Sequence, residues 1–368
     1  MTESRSADAR SVVLDMDVGI DDALAIFYLA AQPNVEIVAL GSVHGNCAVE
    51  TSTLNALRVL EVCGLGHVPV AAGASEPLEQ ELALAPFVHG ENGLGDVQFP
   101  RASAVPSGEH AADQLIRLAH ERPGELDLIA VGPLTNLGLA LLRDPELLTR
   151  YRSVSVMGGS GPFPPAGTLR EVDANIAHDM HAAELVFNAP RQLLNMVGVN
   201  VCTPVVLEEH HISAIEAADT PQARFTAKIL PFYLDFYRYH WGRRISPQYD
   251  ALTAGIAIDP TFITASMSGP VNLINDGGVG RAWLMQREDG GVLDVPIYHA
   301  PDTLVATQVD GDRFIVDLVS ALSTPFPSRA NSRTSNTITI DSPDEYVTSR
   351  HAQSEGGAAP GLLKCDPS

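Results

Sequence analysis

The chain has little of several things, and each shortage excludes something. Its 368 residues include four cysteines, Cys47, Cys63, Cys202 and Cys365, widely spaced and with no CxxC pair. That pattern offers neither a zinc site nor a disulfide framework, and free thiols fit a cytoplasmic protein. Basic residues number 23 against 45 acidic ones, a formal net charge of −22. Such an acidic excess argues against nucleic-acid and anionic-membrane partners, which are bound through basic patches. It is also unfavourable for highly anionic substrates such as nucleotides. No apolar run approaches the roughly 18–20 residues that span a bilayer. Residues 1–10 are polar and lack the apolar core of a signal peptide. What remains, 45% hydrophobic and 18% charged residues, describes a soluble globular chain with room for one large α/β domain or two smaller ones.

Short apolar runs alternate with helical patterns. Residues 11–15, 35–43, 68–71, 126–131, 154–157 and 193–199 read as strands, and 22–31, 49–63, 110–120, 134–142 and 179–187 as helices. This alternation implies crossover units and a mostly parallel sheet. Continuously apolar strands imply burial on both faces. Residues 221–242 form a long helical pattern dense in aromatics, 251–258 a buried helix, 283–285, 295–298 and 303–309 late strands, and 312–322 a final helix. After about Thr324 the composition turns to Ser, Pro, Thr, Asn and Gly. The expected organisation is a polar extension over 1–10, one α/β domain over 11–324 and a disordered tail over 325–368. The domain is expected to hold an open, mostly parallel central sheet flanked by helices.

Directly after the apolar run Val12-Val13-Leu14, four carboxylates fall within eight residues: Asp15, Asp17, Asp21 and Asp22. Burying unpaired charge is expensive, and this stretch contains no Lys or Arg. A hard divalent cation with oxygen ligands is the natural counter-charge. Asp21 and Asp22 open a helix, where a carboxylate stabilises by roughly 0.3–1 kcal/mol. That role leaves Asp15 and Asp17 unexplained. An EF-hand is excluded, because its sixth position would be Ile20 and its twelfth Ile26. Other polar segments also end strands: His44-Gly45-Asn46, Gly132-Pro133-Leu134-Thr135-Asn136, Met157-Gly158-Gly159 leading to Asp173-Ala174-Asn175, and Asn200. Ligands of open parallel sheets bind beyond the carboxyl ends of the strands.

The pattern Asp15-Met16-Asp17-Val18-Gly19-Ile20-Asp21-Asp22-Ala23 resembles that of the inosine-uridine preferring nucleoside hydrolases. The resemblance runs roughly from residue 12 to 322. It includes Gly45-Asn46, His89-Gly90-Glu91-Asn92-Gly93-Leu94, the Gly132–Asn136 segment, Met157-Gly158-Gly159, Asp173-Ala174-Asn175 and Tyr249-Asp250-Ala251, in order. It implies a Rossmann-like nucleoside hydrolase fold and calcium-dependent release of a free nucleobase and ribose from ribonucleosides, in salvage. It also implies a homodimer or homotetramer. By motif position the Ca²⁺ ligands would be Asp17, Asp22, the backbone carbonyl of Thr135, and Asp250, within a shell of about eight oxygens. Asp17 would act as general base toward a water on the ion. Asp21, Asn46, Asp173 and Asn175 would hold the ribose, and Asp15 would order the loop behind them.

Departures accompany the likeness. Val18 stands where Pro is usual, Asp173 where Glu is usual, and Gly167 falls near a usual Asn. Tyr249 stands where many members carry a His that protonates the leaving base. Tyr is the weaker acid near neutral pH, so leaving-group activation rests on Tyr249, on His240, or on another route. A purine-only preference is therefore not favoured. Aromatics at helical spacing are usually core. In the resemblance, however, the aromatic helix overhangs the base, so Tyr237 and Trp241, one turn apart, are candidates to cover it. His89 is a candidate for the base pocket, and residues 87–97 for a mobile lid. Two other readings stay open. One is a haloacid-dehalogenase-like phosphatase with Asp15 as nucleophile, Mg²⁺, and Gly311-Asp312 with Asp317 as its late acidic motif. The other is a catalytically silent nucleoside- or ribose-binding protein on the same scaffold.

Overall fold

The structure, a computed structural model, describes residues 9–161, 173–276, 279–284 and 300–327. Residues 1–8, Gly167, the strand expected at 295–298 and the tail from 328 onward lie outside the described residues. In chain order the first elements are β1 (Arg10–Met16), α1 (Ile20–Ala31), β2 (Val35–Ser42), α2 (Val49–Val62), β3 (Val70–Ala72), α3 (Pro86–His89) and α4 (Ala111–Glu121). Then come β4 (Leu126–Ala130), α5 (Thr135–Leu141), β5 (Ser153–Met157), α6 (Ala174–His178), α7 (Met180–Asn188), β6 (Leu194–Val197) and α8 (Val199–Cys202). The chain continues through β7 (Val206–Leu207), α9 (Glu209–Ala217), α10 (Pro221–Trp241), β8 (Ser246–Pro247) and α11 (Asp250–Ile258). It closes with β9 (Ile263–Gly269), β10 (Val271–Asp276), β11 (Val279–Leu284), β12 (Thr303–Val309) and α12 (Gly311–Ser323).

The main sheet has the order β3-β2-β1-β4-β5-β6-β12-β9. Every neighbouring pair is parallel except β12 with β9, which is antiparallel. The apolar strands serve two cores at once. Val12 and Leu14 of β1 face the core built with α1, α10, α11 and α12, while Val13 faces the one built with α4, α5 and α7. Alternate side chains point to opposite faces of a strand, so a strand covered by helices on both sides must be apolar throughout. This is the open α/β architecture the sequence implies.

Differences from the sequence reading are local. Strand β9 was not anticipated: its thin pattern of Thr264, Ser266 and Ser268 alternates with half-buried residues, as suits an antiparallel edge with one face wet. Of the strand expected at 283–285, the described residues 283 and 284 end β11, which starts at Val279 and pairs with β10 as a hairpin. The extended run expected to reach residue 199 stops at Val197, and α8 follows. Helix α9 is largely polar and escaped notice. Helix α10 carries its own punctuation: Thr220 Oγ accepts from the Ala223 amide at 3.1 Å, Pro221 is the first helical residue, and Gly242 ends it at φ 70°. Packing extends slightly past the expected domain edge, since Phe326 lies against Phe27 with ring centroids 6.3 Å apart. No helix among the described residues is long and apolar enough to cross a membrane.

Phe314 of α12 is fully buried, with ring centroids 5.4 Å from Tyr28 and 5.5 Å from Phe262. It fits because Gly255 of α11 has no Cβ, which would sit 2.6 Å from the ring. Phe314→Ala is expected to destabilise the fold by about 3–5 kcal/mol through the cavity it leaves. Urea unfolding followed by circular dichroism measures this; an unchanged midpoint would contradict the packing described.

Candidate active site

The carboxyl ends of β1, β2, β4 and β5 open onto one cavity of about 720 Å³. Its floor belongs to the turn between β1 and α1. The Gly19 amide donates to Asp22 Oδ2 at 2.8 Å, so the third residue of α1 caps its own helix. Asn46, after β2, donates its backbone N–H to Asp17 Oδ2 at 2.7 Å and its Nδ2 to Asp22 Oδ2 at 2.9 Å. The chain passes close enough for this only because residue 45 is glycine. Its φ is 148°, and a Cβ there would lie 2.1 Å from Asp17 Oδ2. Asp250 enters as the first residue of α11, which packs against α1.

Asp17, Asp21, Asp22 and Asp250 are all buried. Carboxylate oxygens of Asp21, Asp22 and Asp250 lie within 4.8 Å of one another. Asp22 Oδ1 is buried with no hydrogen-bond partner among the described residues. Burial first, then the charge of Asp21, pushes the Asp22 carboxyl up to about 8. Burial and the neighbouring carboxylates raise Asp17 and Asp250 well above the ordinary carboxylate range too. Such a cluster, with an orphaned oxygen and only hard donors, suits a divalent cation.

The surrounding groups are tightly held. Asp15 lies behind the site: its Oδ1 accepts from Asn136 Nδ2 at 2.8 Å, and burial pushes it up to about 7. Asn136 also donates to the Ser42 carbonyl and accepts from the Ala74 amide, so one side chain ties the ends of β1 and β2 to the loop after β3. Asp173 caps α6, accepting from the Asn175 and Ile176 amides, and also receives the Gly159 amide at 2.6 Å. Asn175 Nδ2 donates to the carbonyls of Val131 (2.7 Å) and Met157 (3.2 Å). His89 is buried, accepts the Ile20 amide on Nδ1 at 3.2 Å, and is held below its ordinary pKa by burial; it is neutral there.

Over the floor stands α10. Tyr233 Oη donates to Asp21 Oδ2 at 3.3 Å, and Tyr237 lies one turn further along. Trp241 packs edge-on to Tyr237 at 4.7 Å and is 44% exposed. Tyr249, immediately before Asp250, brings its hydroxyl to 3.4 Å from that of Tyr237. His240 lines the mouth, exposed, with its ring 4.4 Å from Phe236. The structure thus separates the two leaving-group candidates: Tyr249 faces inward and His240 sits at the rim.

A family profile described as inosine-uridine preferring nucleoside hydrolase matches residues 12–316. The chain belongs to this family. Uridine nucleosidase 1 of Arabidopsis thaliana is 36% identical over 231 residues, 61% of this chain and 67% of that protein. The inosine-uridine preferring nucleoside hydrolase of Leishmania major is 32% identical over 319 residues, 85% of this chain and 97% of that protein. Among solved structures, a plant nucleoside hydrolase, the PpNRh1 enzyme, superposes with a TM-score of 0.78 at 29% identity, over 86% of this chain and 99% of that one.

This nucleoside hydrolase is an enzyme, which sets aside the silent binder. The phosphatase reading falls with the family, and Asp312 and Asp317 are exposed on α12, outside the cavity. Three of the expected ligands, Asp17, Asp22 and Thr135, are not among the residues that line the cavity. Thr135 begins α5, with its Oγ donating to Asp179 Oδ2 at 2.7 Å and 3.0 Å from His44 Nε2. The cavity-lining residue of that segment is Val131, four residues earlier at the end of β4. Sequence reading passed over Val131, because a backbone carbonyl has no side-chain signature. It also missed His178, and it left Tyr233 in the core. His178, three residues after Asn175 on α6, lines the cavity, and burial lowers it to about 4. The i, i+4 spacing of Tyr233 and Tyr237 was the available signal for Tyr233.

The raised carboxylates of this nucleoside hydrolase carry a pH signature. Asp22, ordinarily 3.8, reaches about 8 in the fold, so the folded state retains a proton that the unfolded chain releases. Its contribution to stability is full below about pH 4 and is lost as pH rises toward about 8. Asp17 and Asp250 act in the same direction. In EDTA the thermal midpoint should fall between about pH 5 and pH 8, and an added divalent cation should raise it more at the higher pH. Scanning fluorimetry reads both; a midpoint indifferent to pH and cation alike would remove the cluster as a cation site.

Proposed function

We propose that the protein hydrolyses the N-glycosidic bond of ribonucleosides, uridine among them, to ribose and a free nucleobase. The observation that carries this reading is the buried cluster of Asp21, Asp22 and Asp250, with Asp17 beside Asp22, under a cavity lined by Asp21 and Asp250 whose lining, among the described residues, contains no Lys or Arg. Cleavage of that bond develops positive charge on the ribose ring, and preformed carboxylates stabilise it electrostatically. The names of the relatives, uridine nucleosidase and inosine-uridine preferring nucleoside hydrolase, support the substrate class.

Asp17, Asp22, Asp250 and the carbonyl of Val131 would hold a divalent cation, and all-oxygen donors favour Ca²⁺. When bound, that ion would anchor ribose hydroxyls and lower the pKa of a water. Asp17 takes a proton from the attacking water. Asp21 accepts a ribose hydroxyl, and Asn46, Asp173 and Asn175 orient the sugar. Tyr249 faces the departing base. Burial raises its pKa, so its hydroxyl stays protonated and able to donate at neutral pH. A 2′-deoxyriboside leaves a buried acceptor unpaired and is disfavoured. The free, buried thiols of Cys47 and Cys202 support a reducing, cytoplasmic setting, and a homodimer or homotetramer is the expected assembly.

Release of base and ribose from uridine, inosine, adenosine, cytidine and 2′-deoxyuridine, in EDTA and after adding Ca²⁺, tests this. Metal-dependent turnover that favours ribosides is expected. No release from any riboside in the presence of Ca²⁺ would refute it. Asp17→Asn should lower kcat by about 10²–10⁴-fold while uridine still binds, as read by calorimetry; a variant with near-normal turnover would strip Asp17 of the assigned role.

A further inference from the structure

The cavity combines two features that an uncharged base does not require. The first is aromatic. Tyr233, Phe236, Tyr237, Trp241 and Tyr249 line it, and the first four share one side of α10 by their i, i+3, i+4, i+8 spacing. Tyr237 stands at 74° to Tyr233, 86° to Phe236 and 66° to Trp241, with ring centroids 4.9, 5.1 and 4.7 Å away. Rings set at such angles present faces in several directions, unlike a flat stacking platform. Ring faces are the negative part of the quadrupole and attract a cation. The protein does not supply that cation itself. Its cation–π pairs among the described residues, Lys228 on Phe99 and Arg313 on Phe262, lie outside the cavity.

The second feature is charge. Asp21, Glu81, Asp173 and Asp250 line the cavity, and no Lys or Arg is among its described lining residues. Even the basic residues of α10, Arg224, Lys228 and Arg238, are not among them. His89 and His178 add no positive charge, since burial holds both neutral. A divalent ion on Asp17, Asp22 and Asp250 would offset part of the floor, but Asp21, Glu81 and Asp173 stand outside that ligand set. Glu81 is exposed, on the loop before α3. Glu79, two residues earlier, pairs with His181 at 2.9 Å, whereas Glu81 has no such partner among the described residues.

We propose that the preferred substrates are ribosides whose base is a cationic pyridinium ring, joined to C1′ through its quaternary nitrogen. The proposal rests on the riboside-hydrolase reading above and names its leaving-group class. The ring faces of α10 meet the positive ring, and Glu81 complements its charge. The net charge of −22 draws such a cation toward the protein from a distance. The chemistry fits as well. An ordinary base leaves as an anion unless a donor protonates it; a pyridinium leaves neutral and asks nothing of Tyr249. As the water oxygen bonds to C1′, one water proton passes to Asp17. The C1′–N bond breaks with its electron pair going to the ring nitrogen, which loses its positive charge. The products are ribose, a neutral pyridine and one proton, which Asp17 returns to solvent. Nothing is oxidised or reduced.

The test measures base release from nicotinamide riboside and from uridine, with Ca²⁺ present, in about 20 mM and about 500 mM NaCl. At low salt the KM for nicotinamide riboside should lie about tenfold or more below that for uridine. The gap should narrow at high salt, because screening weakens attraction to exposed charge. Glu81→Gln, an exposed substitution that leaves the core intact, should raise the KM for nicotinamide riboside about three- to fivefold more than that for uridine. Cleavage of uridine with nicotinamide riboside untouched, or with no lower KM for it at either salt, would overturn the proposal and leave the hydrolase reading standing. A preference that neither salt nor Glu81→Gln reduces would overturn it too, since charge would not be its source. Release from the pyridinium riboside alone would support it. Release from neither, nor from any other ribonucleoside, would refute the riboside-hydrolase reading and the proposal with it.

Discussion

The structure depends on four carboxylates, Asp17, Asp21, Asp22 and Asp250, buried beside one another. Asp22 pushed up to about 8, with Asp17 and Asp250 raised alongside it, measures how poorly the protein alone accommodates their charges. Other features can be read as ways of holding them together regardless. Asp21 and Asp22 fall in the first turn of α1, and Asp250 opens α11. The two helices pack against each other, so both positive ends face the same point. Asn46 supplies two donors, and Asn136 braces Asp15 from behind. Gly45 gives up its side chain so that the backbone can reach Asp17. These donors fix positions but contribute no full positive charge. Fixed carboxylates short of positive charge suit both a cation and a cationic transition state.

The opposite wall answers a different demand. In the proposed reaction a departing base needs a donor, and an imidazole or a phenol can provide one. Tyr249 is a weak acid, and burial makes it weaker still. Weakness costs proton-transfer driving force but keeps the donor loaded over the whole neutral range. His89 and His178 do not substitute for it as charged donors, since burial holds both neutral.

The floor was legible in the sequence because its chemistry is local. Asp15, Asp17, Asp21 and Asp22 lie on one turn, and strand–helix alternation puts that turn at the carboxyl end of a parallel strand. Asp250 came only through the resemblance, 228 positions after Asp22 by the chain numbering. Thr135 shows what such reading leaves open. Its motif marks the right loop, but a carbonyl ligand is set by backbone direction, and Thr135 has already turned into α5 toward Asp179. Tyr233 was hidden by its spacing, which is equally that of a core residue. Strand β9 and helix α9 were hidden by polarity, since edge and surface elements lack the continuous apolar runs that mark the central strands.

The same electrostatics bear on selection among natural ribosides. Asp21, Glu81, Asp173 and Asp250 line the cavity, and no Lys or Arg is among its described lining residues. A nucleotide would bring a doubly charged phosphate into that field, and the acidic surface would oppose its approach beforehand. An uncharged nucleoside meets neither barrier and offers hydroxyl donors to the carboxylates. Under the proposed function, rejection of phosphorylated ligands would need no steric gate. It follows from the missing positive charge that also leaves the carboxylates in want of a cation.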